Sequence, residues 1–182
     1  MIIDRKRDKL LNAIIFFVNN TEHCHKVKLF KLLYFFDFDH YRQTGRSATG
    51  TEYSAWKNGP VPRELWDELR DPTPDMSEVM RVVGAQGGQR LDIYPLTEFE
   101  PTHFSSRELN ILEELAEEYR TASADDMIEA SHLENQPWHK VYVEEKRLDA
   151  IIPYDYALRA DEYQEMVAAI NEHKEVTDNW KD

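Results

Sequence analysis

Hydrophobic positions fall first into two helical windows. Over residues 4–18, Leu10, Leu11, Ile14, Ile15, Phe17 and Val18 build one apolar face, and Lys and Arg fill the first turns. Those cations oppose the helix dipole, and Asp4 offsets them as a candidate cap. Asn19-Asn20-Thr21 breaks the pattern. Residues 27–41 then form the most apolar stretch of the chain. Leu29, Leu32, Leu33, Phe36 and His40 share a face at i, i+3, i+4, i+7 spacing, and Phe30, Tyr34, Phe38 and Tyr41 widen it. A surface this broad predicts a central helix packed on several neighbours. A turn at Thr44-Gly45 follows, then a short strand over 53–57. Asn58-Gly59-Pro60-Val61-Pro62 reads as a turn feeding a new helix, with Gly59 free to take unusual φ and Pro62 suited to the first helical turn. Asp71-Pro72-Thr73-Pro74 ends that helix early.

From Ser77 the period shifts towards two. Val79, Met80, Val82 and Val83 form one β-rich run, and Leu91, Ile93, Tyr94 and Leu96 another. The glycine-rich stretch 84–89 between them predicts a hairpin loop. It opens no helix and carries no Lys-Ser/Thr, so it is not read as a phosphate cradle. Ser105-Ser106-Arg107-Glu108 is a capping box that starts a helix to about residue 120, with Leu109, Leu112, Leu115 and Ala116 inward. Ser123 and Asp126 cap the next helix, 124–132, and Pro137 opens a short one with Trp138, Val141 and Tyr142. Residues 151–154 read as extended. A last helix over 161–174, capped by Asp161, buries Met166, Val167 and Ile170, and a polar tail follows from Glu175. The expected fold is α+β and predominantly α-helical. It has about six to seven helices around the central apolar one and a small antiparallel sheet of about three strands. Residues 1–174 form a single domain, and 175–182 are the tail.

Composition narrows the function. No run approaches the ~18 apolar residues that span a bilayer, and the N-terminus has no apolar stretch of signal-peptide type. The one cysteine excludes an intrachain disulfide and fits a reducing cytoplasm. Net charge is −13, unevenly placed: residues 1–70 carry 12 Lys/Arg against 9 Asp/Glu, and 71–182 carry 10 against 26. That balance disfavours nucleic acid as a partner and favours steering of a basic protein, although a solubilising surface explains it equally.

Candidate chemistry is sparse. His23-Cys24-His25 lacks a second ligand pair at metal-binding spacing. Asp37, Asp39 and His40 end the central helix, where two carboxylates oppose the dipole and call for compensation from Arg42 or Arg46. They suit a polar bridge from helix to loop, or an acid–base pair. His132-Leu133-Glu134 has the His-x-Glu of zinc deaminases without the Cys pair those enzymes need. Ser131-His132 lacks a nucleophile elbow and suits a packed corner closed by Pro137-Trp138. Trp56, Trp66, Trp138, Tyr34, Tyr53 and Tyr142, where exposed near the Gly59-Pro60 turn, would anchor a protein interface.

Lys31-Leu32-Leu33-Tyr34-Phe35, Asp37, the strand ending in Trp56, Asn58-Gly59-Pro60-Val61-Pro62, Ser131-His132 and Pro137-Trp138 together resemble the Panacea domain of SocA-like antitoxins, across residues 10–143. The resemblance implies a non-catalytic antitoxin that needs no cofactor or metal. It would neutralise by direct binding a cognate toxin encoded by an adjacent gene, or deliver that toxin to a ClpXP-like protease. The motif positions Tyr34, Asp37, His40, Trp56, Asn58, Gly59, Pro60, His132 and Trp138 are the expected partner-binding residues. A metal-dependent or Ser/His hydrolase using Asp37, His40, His132 and Glu134 is the alternative from another class. A phage or mobile-element protein that binds a host factor is a third.

Overall fold

The computed structural model describes residues 5–84, 90–133, 136–159 and 162–168. Helix α1 (Arg5–Asn20) buries Leu11, Ile14, Ile15 and Phe17; its candidate cap Asp4 lies outside the described residues. Helix α2 (Lys26–Thr44) is the centre of the fold, with every residue from Lys28 to Phe38 buried. It packs on α1, on α5 (Ser106–Glu118), on α6 (Ala124–His132) and on strand β2 (Gly59–Val61). It ends at Gly45, whose left-handed φ of 71° lets its N–H reach the Tyr41 carbonyl at 2.7 Å.

The expected three-stranded sheet is instead two separate antiparallel hairpins. Strand β1 (Ser54–Trp56) pairs with β2, with Ala55 opposite Pro60. Strand β3 (Met80–Gly84) pairs with β4 (Leu91–Pro95), with Val82 opposite Ile93. The stretch 59–61, read as a turn, is therefore a strand. Pro60 is tolerated because a two-stranded ribbon leaves an edge for the residue without an N–H. The other edge of β1 is covered by the chain returning at 149–152, through bonds from Ala55 N to Ala150 O and from Ile152 N to Tyr53 O. The loop expected at 85–89 lies outside the described residues.

A second difference follows Pro72. Helix α3 (Arg63–Glu68) ends as expected, but Pro74 then opens a further helix, α4 (Pro74–Val79), from its N-terminal turn. Arg7 of α1 holds this region. Its guanidinium pairs with Glu68 and Asp75 and bonds Thr73. Both predicted capping boxes are present, Ser105 with Glu108 and Ser123 with Asp126. Helix α7 (Pro137–His139) continues through a π-helical turn over Lys140–Glu144. The last helix is described over 162–168, where Met166 and Val167 are half-buried; Asp161, Ile170 and the tail lie outside the described residues. No helix among the described residues is long and apolar enough to cross a membrane.

Polar side chains on a helix buried this fully need internal partners. Lys28 Nζ donates to the carbonyls of Glu22, Arg120 and Ala122 at 2.9–3.0 Å, using all three of its hydrogens on the α1–α2 and α5–α6 connections. Asp37 holds the loop after α2: it accepts from Thr49 N at 2.7 Å, Thr49 Oγ1 at 2.6 Å and Tyr53 OH at 2.7 Å. These three donors compensate Asp37, and Arg42 pairs with Asp39 as one of the two expected cations.

Burial raises the Asp37 pKa to about 6, against the opposing pull of the Thr49 and Tyr53 bonds. The folded state therefore holds this proton more tightly than the unfolded chain, and stability from this group falls as pH rises from about 4 to 6. Asp37→Asn should abolish that increment, about 2–3 kcal/mol, in urea titrations of both proteins at pH 4 and pH 7. Asp37→Ala, which strands three buried donors, should cost about 3 kcal/mol or more at pH 7.

Candidate partner-binding surface

The sequence motifs converge where the β1–β2 hairpin meets α2, α6 and α7. Lys31 rises from the middle of α2 and donates from Nζ to the Pro60 carbonyl at 2.8 Å. It is buried, and among the described residues it has no carboxylate partner. Desolvation pushes its pKa down to about 7. One turn further along, the buried Tyr34 hydroxyl accepts from Trp138 N at 3.2 Å. Trp138 is held by three further contacts. Its Nε1 donates to Trp56 O at 2.8 Å, its ring stacks on His132 at 3.8 Å and 8°, and its other face meets Tyr142 at 4.8 Å. Gly59 has φ of 101°, and a Cβ there would lie 2.7 Å from both Lys31 Cε and Ser131 Oγ. Lys31, Ser131 and the hairpin backbone are thus in direct contact.

Most of the predicted site residues are spent inside this corner. Tyr34, Asp37, Gly59, Pro60 and Trp138 are buried. His40 is half-buried on the far side of α2, where its Nδ1–H donates to Arg46 O at 2.7 Å and Nε2 lies 3.7 Å from Glu108. His132 is half-buried, and among the described residues its Nε2 has no hydrogen-bond partner. Burial and the nearby Lys31 and His139 lower its pKa, which favours the neutral ring that stacks on Trp138. Asn58 is exposed and Trp56 half-buried, at the hairpin tip with the exposed Lys57.

The residues of the enzyme alternative face different neighbours. Asp37 serves Thr49 and Tyr53, His40 serves Arg46 and Glu108, and His132 stacks on Trp138. Ser131 Oγ donates to Ile128 O at 2.8 Å, not to His132. Glu134 lies outside the described residues. Among the described residues, no cluster of three or more His, Cys, Asp or Glu side chains could hold a metal. In the His23-Cys24-His25 stretch, Cys24 is buried and His25 pairs with Asp92 at 2.9 Å.

Sequence reasoning missed Lys31 as a buried residue and Lys26 as a neighbour of the hairpin, whereas Trp66 is, with Trp56, one of its candidate interface aromatics. Trp66, on α3, meets Trp56 edge-on at 5.6 Å. Lys26 Nζ and Arg70 Cζ both lie over the Trp66 ring, at 5.3 and 4.5 Å. A cavity of about 250 Å³ lies between α2 and the hairpin, walled by Val27, Phe30, Trp56, Val61 and Trp66, with Lys31 also lining it. The signal for Lys31 was its place in an otherwise apolar helix window.

Two substitutions test this corner. Gly59→Ala, which combines an unfavourable φ with contact against Lys31 and Ser131, should lower unfolding free energy by about 2 kcal/mol or more in denaturant titrations. Lys31 gives up its proton in the folded protein near pH 7, whereas the unfolded chain keeps it to about pH 10.5. The unfolded state therefore binds more protons between those values, and stability rises with pH across that window. Relative to Lys31→Met, the wild type should gain about 2 kcal/mol between pH 7 and pH 9, read as the difference in urea midpoints.

Residues 29–139 match the family described as antitoxin SocA-like, Panacea domain. The matched span runs from the first buried turns of α2 to the end of α7, so it holds the whole corner. The chain matches no curated protein and no solved structure. A match over more than half the chain settles the family: the chain belongs to the SocA-like antitoxins through its Panacea domain.

Proposed function

We propose that this chain acts in the cytoplasm as the neutralising half of a toxin–antitoxin pair, binding its cognate toxin directly and masking the toxin's working surface. Family membership supports the antitoxin role. The single observation that carries the binding mode is the fate of the motif residues. Lys31, Tyr34, Asp37, Gly59, Pro60 and Trp138 are consumed in internal contacts, so they build a rigid platform and leave aromatic side chains at its rim. Binding sites mounted on rigid elements lose little conformational entropy on association. In this reading the motif positions hold the surface, and Trp56 and Asn58 belong to it. A handover of the bound toxin to a ClpXP-like protease is a second outcome of the same binding step.

Co-expression with the product of the adjacent gene tests the proposal. Induction of the neighbour alone should arrest growth, and this chain should restore growth and co-purify with the neighbour at near-equal stoichiometry. Restored growth with loss of the neighbour, dependent on the host protease, would assign delivery in place of masking. A neighbour that is harmless alone would overturn the two-gene reading.

A further inference from the structure

The cavity beside the hairpin has an unusual electrical character for a chain of net charge −13. Three lysines line it, Lys26, Lys31 and Lys57, and among the described residues no Asp or Glu does. A second cavity of about 430 Å³ adjoins it, sharing Lys26 and Val27, and again no carboxylate among the described residues lines it; Lys28, bound to three carbonyls, and Arg90, paired with Asp92, do. The nearest acid described beside the hairpin tip, Asp149, is engaged by Trp56 Nε1 at 2.6 Å and by Arg63 at 3.3 Å. Lys26 and Arg70 approach the same Trp66 ring, and among the described residues neither has an ion-pair partner. Burial lowers the Lys26 pKa, and the nearby Arg70 guanidinium lowers it further. The walls between these cations are apolar: Val27, Phe30, Trp56, Val61 and Trp66.

Resting on the toxin-binding reading above, we propose that this groove receives an acidic segment of the toxin that carries a bulky apolar side chain. The apolar side chain enters the cavity beside the Trp56–Trp66 pair, against Val27, Phe30 and Val61, and flanking carboxylates meet Lys26, Lys57 and Arg70. The cavity by the hairpin has room for on the order of eight waters at ~30 Å³ each. Replacing water held between apolar walls by an apolar group is favourable, and tryptophan-lined pockets are where binding energy concentrates. The sign of the partner's charge is set locally. The Debye length is only about 8 Å at physiological salt, so the cations at the rim outweigh the acidic faces farther away. A partner steered as a whole by the acidic second half can therefore still anchor through an acidic segment here. The total charge also argues for a protein segment over RNA, whose many phosphates would meet the acidic faces.

The test uses the full chain and a charge-reversed variant, Lys26→Glu/Lys57→Glu. Both positions lie outside the buried corner, and Glu in the first turn of α2 suits the helix dipole. Circular dichroism melts confirm that the variant folds. Phage-displayed random dodecapeptides are panned on the wild type, and enriched peptides are synthesised and titrated by tryptophan fluorescence. The expected result is enrichment of Asp or Glu flanking Trp, Phe or Leu, with affinity about tenfold or more weaker on the variant. Basic or uncharged winners, no enrichment at all, or affinity unchanged on the variant would each overturn the proposal. So would self-association in sedimentation that is lost in the variant, which would give the groove to a second copy, or tighter binding of an oligouridylate, which would give it to RNA.

The co-expression assay keeps the two readings apart. Loss of rescue with Lys26→Glu/Lys57→Glu supports the groove as the toxin's seat. Rescue by the variant as complete as by the wild type overturns the groove and leaves the antitoxin reading intact. Failure of the wild type itself to rescue sinks the antitoxin reading, and peptide selection still reports on the groove's chemistry.

Discussion

Everything in this fold depends on how α2 buries its polar side chains. The helix is enclosed on all sides, yet it carries Lys28, Lys31, Tyr34, Asp37 and His40 at every third position. Each three-residue step on an α-helix stops about 60° short of a full turn, so these groups spiral round the helix instead of forming one stripe. Each meets a different part of the chain. Lys28 takes the α1–α2 and α5–α6 connections, Lys31 the hairpin and Tyr34 the start of α7. Asp37 takes the loop at Thr49, and His40 the turn at Arg46. A buried polar group without a partner costs roughly 1–3 kcal/mol, so every one of these connections is fixed in register against the same helix.

That constraint explains how so little regular β-structure can form a firm surface. A three-residue hairpin is marginal by itself, and here its stability comes from its attachments. Lys31 holds the Pro60 carbonyl, Trp138 holds the Trp56 carbonyl, and residues 149–152 cover the open edge of β1. Gly59 sits where these attachments cross, with no space for a side chain. The hairpin tip is then presented by a support that reaches α2, α6 and α7 at once.

The helices were legible because their signals are local. The capping boxes at Ser105 and Ser123 and the apolar faces of α1 and α5 fall where the pattern puts them. The strands were less so. Gly59-Pro60-Val61 has the composition of a turn, and only pairing with Ser54–Trp56 and the cover from 149–152 makes it a strand. Pro74 belongs to a run that reads as a helix stop, yet proline at a first turn starts one equally well, and α4 begins there. Within the site, the corner of Ser131, His132 and Trp138 was expected as packing and is packing. Lys28 and Lys31 were hidden because lysine is ordinarily a surface residue. Their period of three within an apolar window was the available signal, and it extends through Asp37. Lys26 could not be placed beside Trp56 without the fold, since nothing local in sequence links the start of α2 to the hairpin, whereas Trp66 sits on the helix that follows the hairpin directly.

The placement of the motif residues also separates two jobs that a binding domain must perform. The residues that resemble the family are mostly buried in the support beneath the hairpin. The rim residues, Lys26, Lys57, Asn58 and Arg70, are half-buried or exposed and make no buried hydrogen bond in the described structure. Substitution at exposed positions of this kind usually moves stability by less than about 0.5 kcal/mol, whereas the same change at an interface can alter partner choice by several kcal/mol. A chain built this way can shift the partner it recognises at its rim while the support beneath stays constant. The polar spiral of α2 thus fixes the support beneath the hairpin, and in the proposed reading what is bound is decided at the rim.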